Sequence, residues 1–362
     1  MRRPVSRLPD RARRHVGWDI GGAHVKACVV EDGVVRDVAQ WPCPLWKGLA
    51  CLDAALAEAR ERWPEAWDAA TCHAATMTGE MVDLFADREE GVATLAARLA
   101  ETLGPTLRIY AAGPGFTAPH EARRHWREIA SANWHATAAM LAPRIGDALL
   151  LDIGSTTTDA IALRAGRVAA LGMNDAERLA TGELVYQGVV RTPLCVLGAR
   201  VPFDGRPVNV MNEFFATSAD VYRLTGELDP VHDQDTAADN GSKSLAGTHQ
   251  RLARMIGRDA RDHGATQWFA LAQAWRRVQV AEIEGQLARV ATAAGLLDDA
   301  PLVGAGCGAF LVADIAGRTG RPFLRFADVV SDSRAPPAAT VASWIDVCAP
   351  AVAIALLAMA ET

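Results

Sequence analysis

Two stretches of this chain align without a gap, one starting at Asp19-Ile20-Gly21-Gly22 and the other at Asp152-Ile153-Gly154-Ser155. Over residues 19–35 and 152–168, Asp, Ile, Gly, Ala, Gly and Val recur in register. Each copy reads as an apolar strand ending in Asp, a glycine-containing turn, a second strand, and a glycine turn into a third, the punctuation of hairpins. A unit that occurs twice predicts two half-domains built on one plan. The order of strand and helix patterns around each copy predicts an α/β fold with mixed sheets flanked by helices.

Along the first copy, His15–Asp19, Val25–Glu31 and Val34–Gln40 are expected as strands. Lys47–Trp63 has a helical period, Ala69–Thr76 is a strand, Glu89–Leu103 a helix and Leu107–Ala112 a strand. A helix over Ser131–Leu141 is expected to stop at Pro143. In the second copy the strands are Leu149–Asp152, Thr158–Leu163 and Val168–Leu171, followed by helices over Asn212–Leu224, Leu245–Asp262 and Gln267–Ala294. Pro301 opens a strand, glycine turn and helix, Pro322–Phe326 is a strand, and a final helix runs from Val341. The domain plan is thus a basic, disordered arm (1–14), a first lobe (15–145) on which a C-terminal helix (338–362) packs back, and a second lobe (146–337) with a helical insertion at about 206–295.

The chain has 362 residues, half of them apolar, enough for more than one core. A net charge of -6 argues against nucleic-acid binding by bulk charge, although the first fourteen residues carry six arginines. No apolar run follows that arm, and no stretch reaches the roughly 18 apolar residues of a spanning helix. Val347–Ala360, interrupted by Pro350, reads as a buried helix, so no membrane partner is expected. Seven cysteines stand singly, without a C-x-x-C pair, which points to reduced thiols and the cytoplasm. Cys72 and His73 would face opposite sides of a strand and make poor co-ligands. The polar run Asp229–Ser244, with Asp229, His232, Asp233, Asp235 and Asp239, reads as a solvated loop in preference to an ion site.

Three loops share one design in which small residues turn the chain at a strand end and leave backbone N–H groups to point at an anion. They are Gly21-Gly22, Gly154 with Ser155, Thr156 and Thr157, and Gly304, Gly306 and Gly308. In the first copy Lys26 follows as a cation; the matching position in the second copy is Asp159. Asp19 and Asp152 are the candidate ligands for a magnesium ion that would neutralise a polyphosphate. Asp19, Lys26, Asp152 and Asp159 are the candidate catalytic residues.

Asp19–Lys26 resembles the first phosphate motif of the two-lobed actin, sugar-kinase and Hsp70 ATPase superfamily, Asp152–Asp159 its second, and Gly304–Gly308 its adenosine-side turn. The chain after residue 15 resembles the hydantoinase and oxoprolinase-related branch. More narrowly, Thr76-Met77-Thr78-Gly79-Glu80, Gly113-Pro114-Gly115-Phe116, Ala132–Ala138, Gly182–Pro193 and Asn212–Arg223 resemble proteins linked to tetrahydromethanopterin-dependent one-carbon metabolism. Archaeal members of that group are similar to the synthase of methanofuran biosynthesis. That resemblance implies a duplicated, ribonuclease H-like fold. It also implies a transferase that joins an aminomethylfuran-methyl diphosphate to the phenol of tyramine-glutamate, or a tyrosine analogue, and releases pyrophosphate. The implied partners are a small-molecule diphosphate and a phenolic acceptor, with a homo-oligomer left open and ATP not required. The alternative keeps ATP as the ligand, in a kinase or an ATP-dependent amidohydrolase. His24 departs from the pattern, standing where a small or amide residue is expected.

A phenol, with a pKa near 10, needs partial deprotonation as it attacks, and Asp159 or a histidine is the candidate base. His73, His120 and His135 read more simply as satisfied polar or surface histidines. Glu80 either binds an ammonium group of the furan substrate or caps the following helix. Arg191 either meets the acceptor's carboxylate or belongs to a structural ion pair.

Overall fold

β1 (Arg14–Ile20), β2 (His24–Glu31) and β3 (Val34–Pro42) form an antiparallel meander. Asp32 and Gly33 both take positive φ between β2 and β3, the backbone of a two-residue hairpin turn. α1 (Ala50–Arg62) then leads to β4 (Cys72–Met77), parallel to β1, and α2 (Arg88–Leu103) to β5 (Arg108–Ala111), parallel to β4. β6 (Gly115–Thr117) closes the edge, and α3 (Trp126–Ile129) and α4 (Asn133–Ile145) follow. The sheet order is β3-β2-β1-β4-β5-β6. Val16, Trp18, Ile20, Leu52, Leu56, Val92, Leu95 and Leu99 fill the core where α1 and α2 cover this sheet. α4 runs through Pro143 instead of stopping before it, so the turn of chain expected there is still helical.

The second copy repeats the plan with β7 (Ala148–Ile153), β8 (Thr158–Arg164) and β9 (Arg167–Val168). β9 is two residues long, because its pairing with β8 ends where the chain turns toward α5 (Asp175–Thr181). β10 (Leu184–Val185) and α6 (Leu194–Leu197) precede a hairpin of β11 (Arg200–Phe203) and β12 (Arg206–Asn209). The Asp204-Gly205 turn of that hairpin again has positive φ at both residues. Three helices follow: α7 (Ser218–Thr225), α8 (Leu245–Met255) and the 30-residue α9 (Ala265–Ala294). α7 starts six residues later than the sequence suggests, where Thr217 and Asp220 form a capping box. β13 (Leu302–Ala305), α10 (Ala309–Thr319), β14 (Phe323–Arg325) and α11 (Phe326–Val330) complete the second sheet, in the order β10-β8-β7-β13-β14.

The expected final helix is two helices, α12 (Ala339–Val347) and α13 (Ala349–Ala360). This computed structural model describes residues 14–331 and 337–361, so the arginine-rich arm lies outside the described residues except for Arg14, the first residue of β1. The described chain divides into two units, one of residues 14–137, 331, 337–341 and 350–361, the other of 138–330 and 342–349. α13 belongs to the first, where Ile354 and Ala358 pack with Ala74, Tyr110, Ala132 and Ala136. Among the described residues no single helix is long and apolar enough to cross a membrane.

Candidate functional site

In the first unit, β1 pairs with both β2 and β4, so Lys26, Asp19 and Thr76 stand in one row across three strands. Asp19 is buried and Lys26 half-buried. The Thr76 hydroxyl is fully buried and makes no hydrogen bond within the described residues. The turn after Asp19 is closed by the Gly21 amide, which donates to the His24 carbonyl at 2.9 Å. Outer residues occupy its other carbonyls: Leu45 donates to Gly22 and Cys43 to Ala23. The donors that no backbone carbonyl of the described residues takes are the amides of Gly22 and Ala23. His24, the departure noted in the sequence, is the first residue of β2 and is buried.

Glu80 does not cap α2; Asp87 does, accepting from the Glu90 amide at 2.9 Å. Glu80 is instead 1 % exposed and accepts a hydrogen bond from the Ser131 hydroxyl at 2.9 Å. His73 takes the Trp18 indole N–H at 3.2 Å, and burial lowers its pKa to about 4. His135 shares a 2.8 Å hydrogen bond with the Tyr110 hydroxyl. Both are internal partners, and His120 sits in a short turn over Pro119–Glu121.

In the second unit the equivalent row is Asp159, Asp152 and Ala305, on β8, β7 and β13. The Gly154 amide closes the turn by donating to the Thr157 carbonyl at 2.9 Å, as Gly21 does in the first. No backbone carbonyl of the described residues takes the amides of Ser155, Thr156 or Thr157. With their hydroxyls, these three residues make a compact set of donors. A second strap lies against this turn: Val189 donates to the Gly154 carbonyl, and Val190 and Arg191 donate to that of Ser155. The strap is in turn held from below. Gln279 on α9 donates to the Gly188 carbonyl at 2.9 Å and accepts from the Tyr222 hydroxyl at 2.7 Å. The Gly188 amide donates to the Thr192 hydroxyl at 2.7 Å.

The third loop is docked to the same strand end. Gly308 donates to the Ile153 carbonyl at 2.8 Å and Gly306 to the Asp346 carbonyl of α12 at 2.7 Å. Gly306 has φ +81°, and a Cβ there would overlap the Ile153 carbonyl and lie 2.6 Å from Asp152 Oδ1. Glycine is therefore required twice over, by backbone conformation and by the room left for the Asp152 carboxylate. The Gly21, Gly154, Gly306 and Gly308 amides thus differ from the sequence reading: each donates to a backbone carbonyl and fastens its loop.

Asp159 is not an isolated carboxylate opposite Lys26. Its Oδ1 lies 2.9 Å from the guanidinium of Arg178, a side chain 1 % exposed. Arg191 lies beside the Ser155–Thr157 turn, with its guanidinium 3.4 Å from the Thr156 hydroxyl and 3.8 Å from Asp235 Oδ1. The run Asp229–Ser244, expected as a solvated loop, is pinned at its centre. Asp233 is buried and takes both Arg223 and Lys243, while Arg251 joins Asp220 and Asp239. Basic residues on α7 and α8 explain the difference. Burial pushes the Asp235 carboxyl up; Arg191 opposes that shift, and Asp233 adds to it. Among the described residues no three His, Cys, Asp or Glu side chains gather into an all-protein metal site.

Residues 71–330 match the hydantoinase/oxoprolinase family. The chain belongs to that family. This hydantoinase/oxoprolinase-family chain is 29 % identical over 242 residues to the (4-{4-[2-(gamma-L-glutamylamino)ethyl]phenoxymethyl}furan-2-yl)methanamine synthase of Methanocaldococcus jannaschii, covering 67 % of this chain and 71 % of the relative. It is 36 % identical over 107 residues to the synthase of the same name from Methanococcus vannielii, covering 30 % of this chain and 46 % of that one. Among solved structures, a nucleotide-free acetone carboxylase superposes with a TM-score of 0.51 at 11 % identity, over 83 % of this chain and 66 % of that one. The fold is the actin-like, ribonuclease H-like α/β arrangement, present here as two similarly ordered mixed sheets.

Sequence reasoning did not identify Arg178, Gly188, Thr192, Gln279 or Asp346. Gln279 carried a signal: it interrupts the otherwise apolar buried stripe Trp268, Leu271, Trp275, Ile283 and Leu287 of α9. Gly188, Arg191 and Thr192 lie within one motif of the narrower resemblance, but nothing in it indicates that they brace the turn at Gly154.

Proposed function

We propose that this chain is a synthase of methanofuran-type cofactor assembly, forming an aryl ether from a furfuryl diphosphate and a phenol with release of pyrophosphate. The observation that carries this reading is the similarity to the Methanocaldococcus jannaschii synthase over two-thirds of the chain. The compound for which that relative is named contains a phenoxymethyl-furan linkage. The second-unit loops supply what such a reaction needs. When diphosphate departs from a furfuryl carbon, the ring delocalises the positive charge, so stabilising the leaving group governs the barrier. The Ser155, Thr156 and Thr157 amides and hydroxyls are fixed donors for that developing charge, and one such donor is worth about 2.7 to 4 kcal/mol. Lys26, Asp19 and the Gly22 and Ala23 amides are the corresponding groups of the first unit.

The residues fit a magnesium ion carried by the diphosphate, because the missing Cβ at Gly306 leaves space at the Asp152 carboxylate. Magnesium is commonly held by one or two carboxylates together with substrate phosphates, and here Asp152 would hold it. When bound, it would neutralise charge on the leaving group. The Arg178 contact turns Asp159 toward charge balance within the second unit, which makes it a poor choice as the base.

The test offers purified protein the furan diphosphate with tyramine-glutamate or tyrosine-derived acceptors, and ATP in a separate reaction. Ether product and pyrophosphate without ATP are expected. Substrate-stimulated ADP formation with no ether would replace this reading by an ATP-dependent one.

A further inference from the structure

The motif Thr76-Met77-Thr78-Gly79-Glu80 lies against the turn that follows Asp19. Met77 fills the core, and the Thr78 amide donates to the Ile20 carbonyl at 2.9 Å. A Cβ on Gly79 would lie 3.2 Å from the carbonyl oxygens of both Ile20 and Gly21, so the missing side chain lets the motif pack closely on the turn. Thr76 has no such evident structural task for its hydroxyl. It is 0 % exposed, and its Oγ1 makes no hydrogen bond within the described residues. Native interiors seldom leave a hydroxyl in that condition, because losing water without gaining a partner destabilises the fold.

Strand register fixes the face to which this hydroxyl belongs. Thr76, Asp19 and Lys26 stand in one row across β4, β1 and β2, so their side chains share one side of the sheet. Trp18, Ala75 and Met77, the alternate residues, belong to the core on the other side. On the row's own side α13 closes over Gly17, where a Cβ would overlap the Ala351 carbonyl, and Asp19 is the next residue of β1 on that side. Exposure falls along the row, from half-buried Lys26 to Asp19 at 4 % and Thr76 at 0 %. A cation thus stands at the open end, a carboxylate in the middle and a hydroxyl at the closed end.

We infer that Thr76 is a positioning residue for the water shell of the divalent cation that accompanies diphosphate, its hydroxyl holding a cation-bound water beside Asp19. The role rests on the proposed reading of Asp19 and Lys26 as first-unit groups for the diphosphate. Depth selects the occupant: a hydroxyl with no exposed surface suits a group the size of water and not a tetrahedral phosphate. Magnesium dehydrates reluctantly and commonly binds through one or two carboxylates while keeping several waters. A water on a divalent cation is polarised and donates strongly, so it needs acceptors, and the Asp19 carboxylate and Thr76 hydroxyl offer two at neighbouring register positions. Groups that orient a metal's ligands without touching the metal typically change its affinity by about 10- to 100-fold when removed.

The test is calorimetric titration of the full chain with inorganic pyrophosphate, in magnesium and in EDTA, with thermal melting of each ligand-free protein. Wild type, Thr76→Val and Thr76→Ser are compared. Valine keeps the branched shape and removes the hydroxyl. Thr76→Val is expected to melt at or above the wild-type temperature, since it deletes an unpartnered buried hydroxyl. It should nevertheless bind pyrophosphate about tenfold more weakly in magnesium, and within about twofold of wild type in EDTA. Thr76→Ser keeps the hydroxyl and should keep the magnesium-dependent affinity. A lower melting temperature in Thr76→Val would mean that the hydroxyl serves the fold, and would overturn the inference. So would wild-type affinity of Thr76→Val in magnesium, the result for a hydroxyl satisfied by an internal water alone, and so would an equal loss in magnesium and EDTA, the result for a displaced turn. A Thr76→Ser protein as weak as Thr76→Val, or a wild type whose binding ignores magnesium, overturns it too. None of these readouts uses the furan substrate. A wild type that makes ether while Thr76→Val binds normally would remove the role of Thr76 and leave the proposed function standing. Binding that follows the expected pattern in a protein that makes no ether would do the reverse.

Discussion

Gly188 lies flat against the peptide that joins Gly154 to Ser155: a Cβ on Gly188 would fall 2.5 Å from the carbonyl oxygens of both residues. The turn that presents Ser155, Thr156 and Thr157 is thus braced by a distant piece of chain, itself held by Gln279 from α9. Gly188→Ala should displace the turn with little loss of core packing. Pyrophosphate affinity is expected to fall at least tenfold while the melting temperature drops by only a few degrees, on the order of 1 to 2 kcal/mol. Wild-type affinity in that variant would show that the brace does not set the turn.

Asp152 ends β7 beside the space that Gly306 keeps open. Asp152→Ala is expected to abolish the magnesium-dependent part of pyrophosphate or nucleotide binding and to leave the fold intact. Titrations with and without magnesium, alongside circular dichroism, check this. Unchanged affinity would make the Asp152 turn a purely structural one.

Arg178 and Asp159 test a different property, the cost of an unbalanced charge. Arg178→Ala leaves the Asp159 carboxylate without its guanidinium partner at a site where Arg178 is 1 % exposed. A loss of roughly 3 to 5 kcal/mol is expected, as for other broken buried pairs. Combining Arg178→Met with Asp159→Asn should recover much of it. Urea denaturation of the single and double variants provides the comparison.

His73 predicts a pH dependence for the first unit. Its pKa is lowered from 6.5 to about 4, mainly because burial penalises the charged ring, and its neutral form accepts from Trp18. A lowered folded-state pKa favours folding above pH 6.5, and this contribution fades as pH falls from 6.5 toward 4. His73→Asn keeps an acceptor for Trp18 without titrating. Its stability relative to wild type should therefore improve by about 2.5 kcal/mol between pH 7 and pH 4.5, measured by urea denaturation.

The repeated Asp-Ile-Gly stretch made the two meanders readable because strand alternation, hairpin turns and glycines are local signals. The same locality explains the failures. β9 ends early and α7 starts late because pairing limits and a capping box decided them, not hydrophobic period. Pro143 is accommodated inside α4, against its general tendency to end helices. At the candidate site, the turns were legible as turns, yet the groups packed against them were not. Arg178 is separated from Asp159, and Gln279 from Gly188, by stretches of chain that only the folded structure brings together. Local pattern likewise suggested solvent for Asp229–Ser244, most of which is exposed, but did not show that Asp233 is buried against Arg223 of α7 and Lys243.

The placement of α13 bears on how this chain is made. Ile354 and Ala358 complete a cluster with Ala74 and Tyr110 in the first unit, although everything between residues 138 and 330 belongs to the second. During synthesis the earlier half emerges first but lacks a wall of its core until residues 349–360 have left the ribosome. The second sheet has all of its strands well before that moment. Both units nevertheless wait for the end of the chain: the second for residues 342–349, among them Asp346, and the first for the helix that follows.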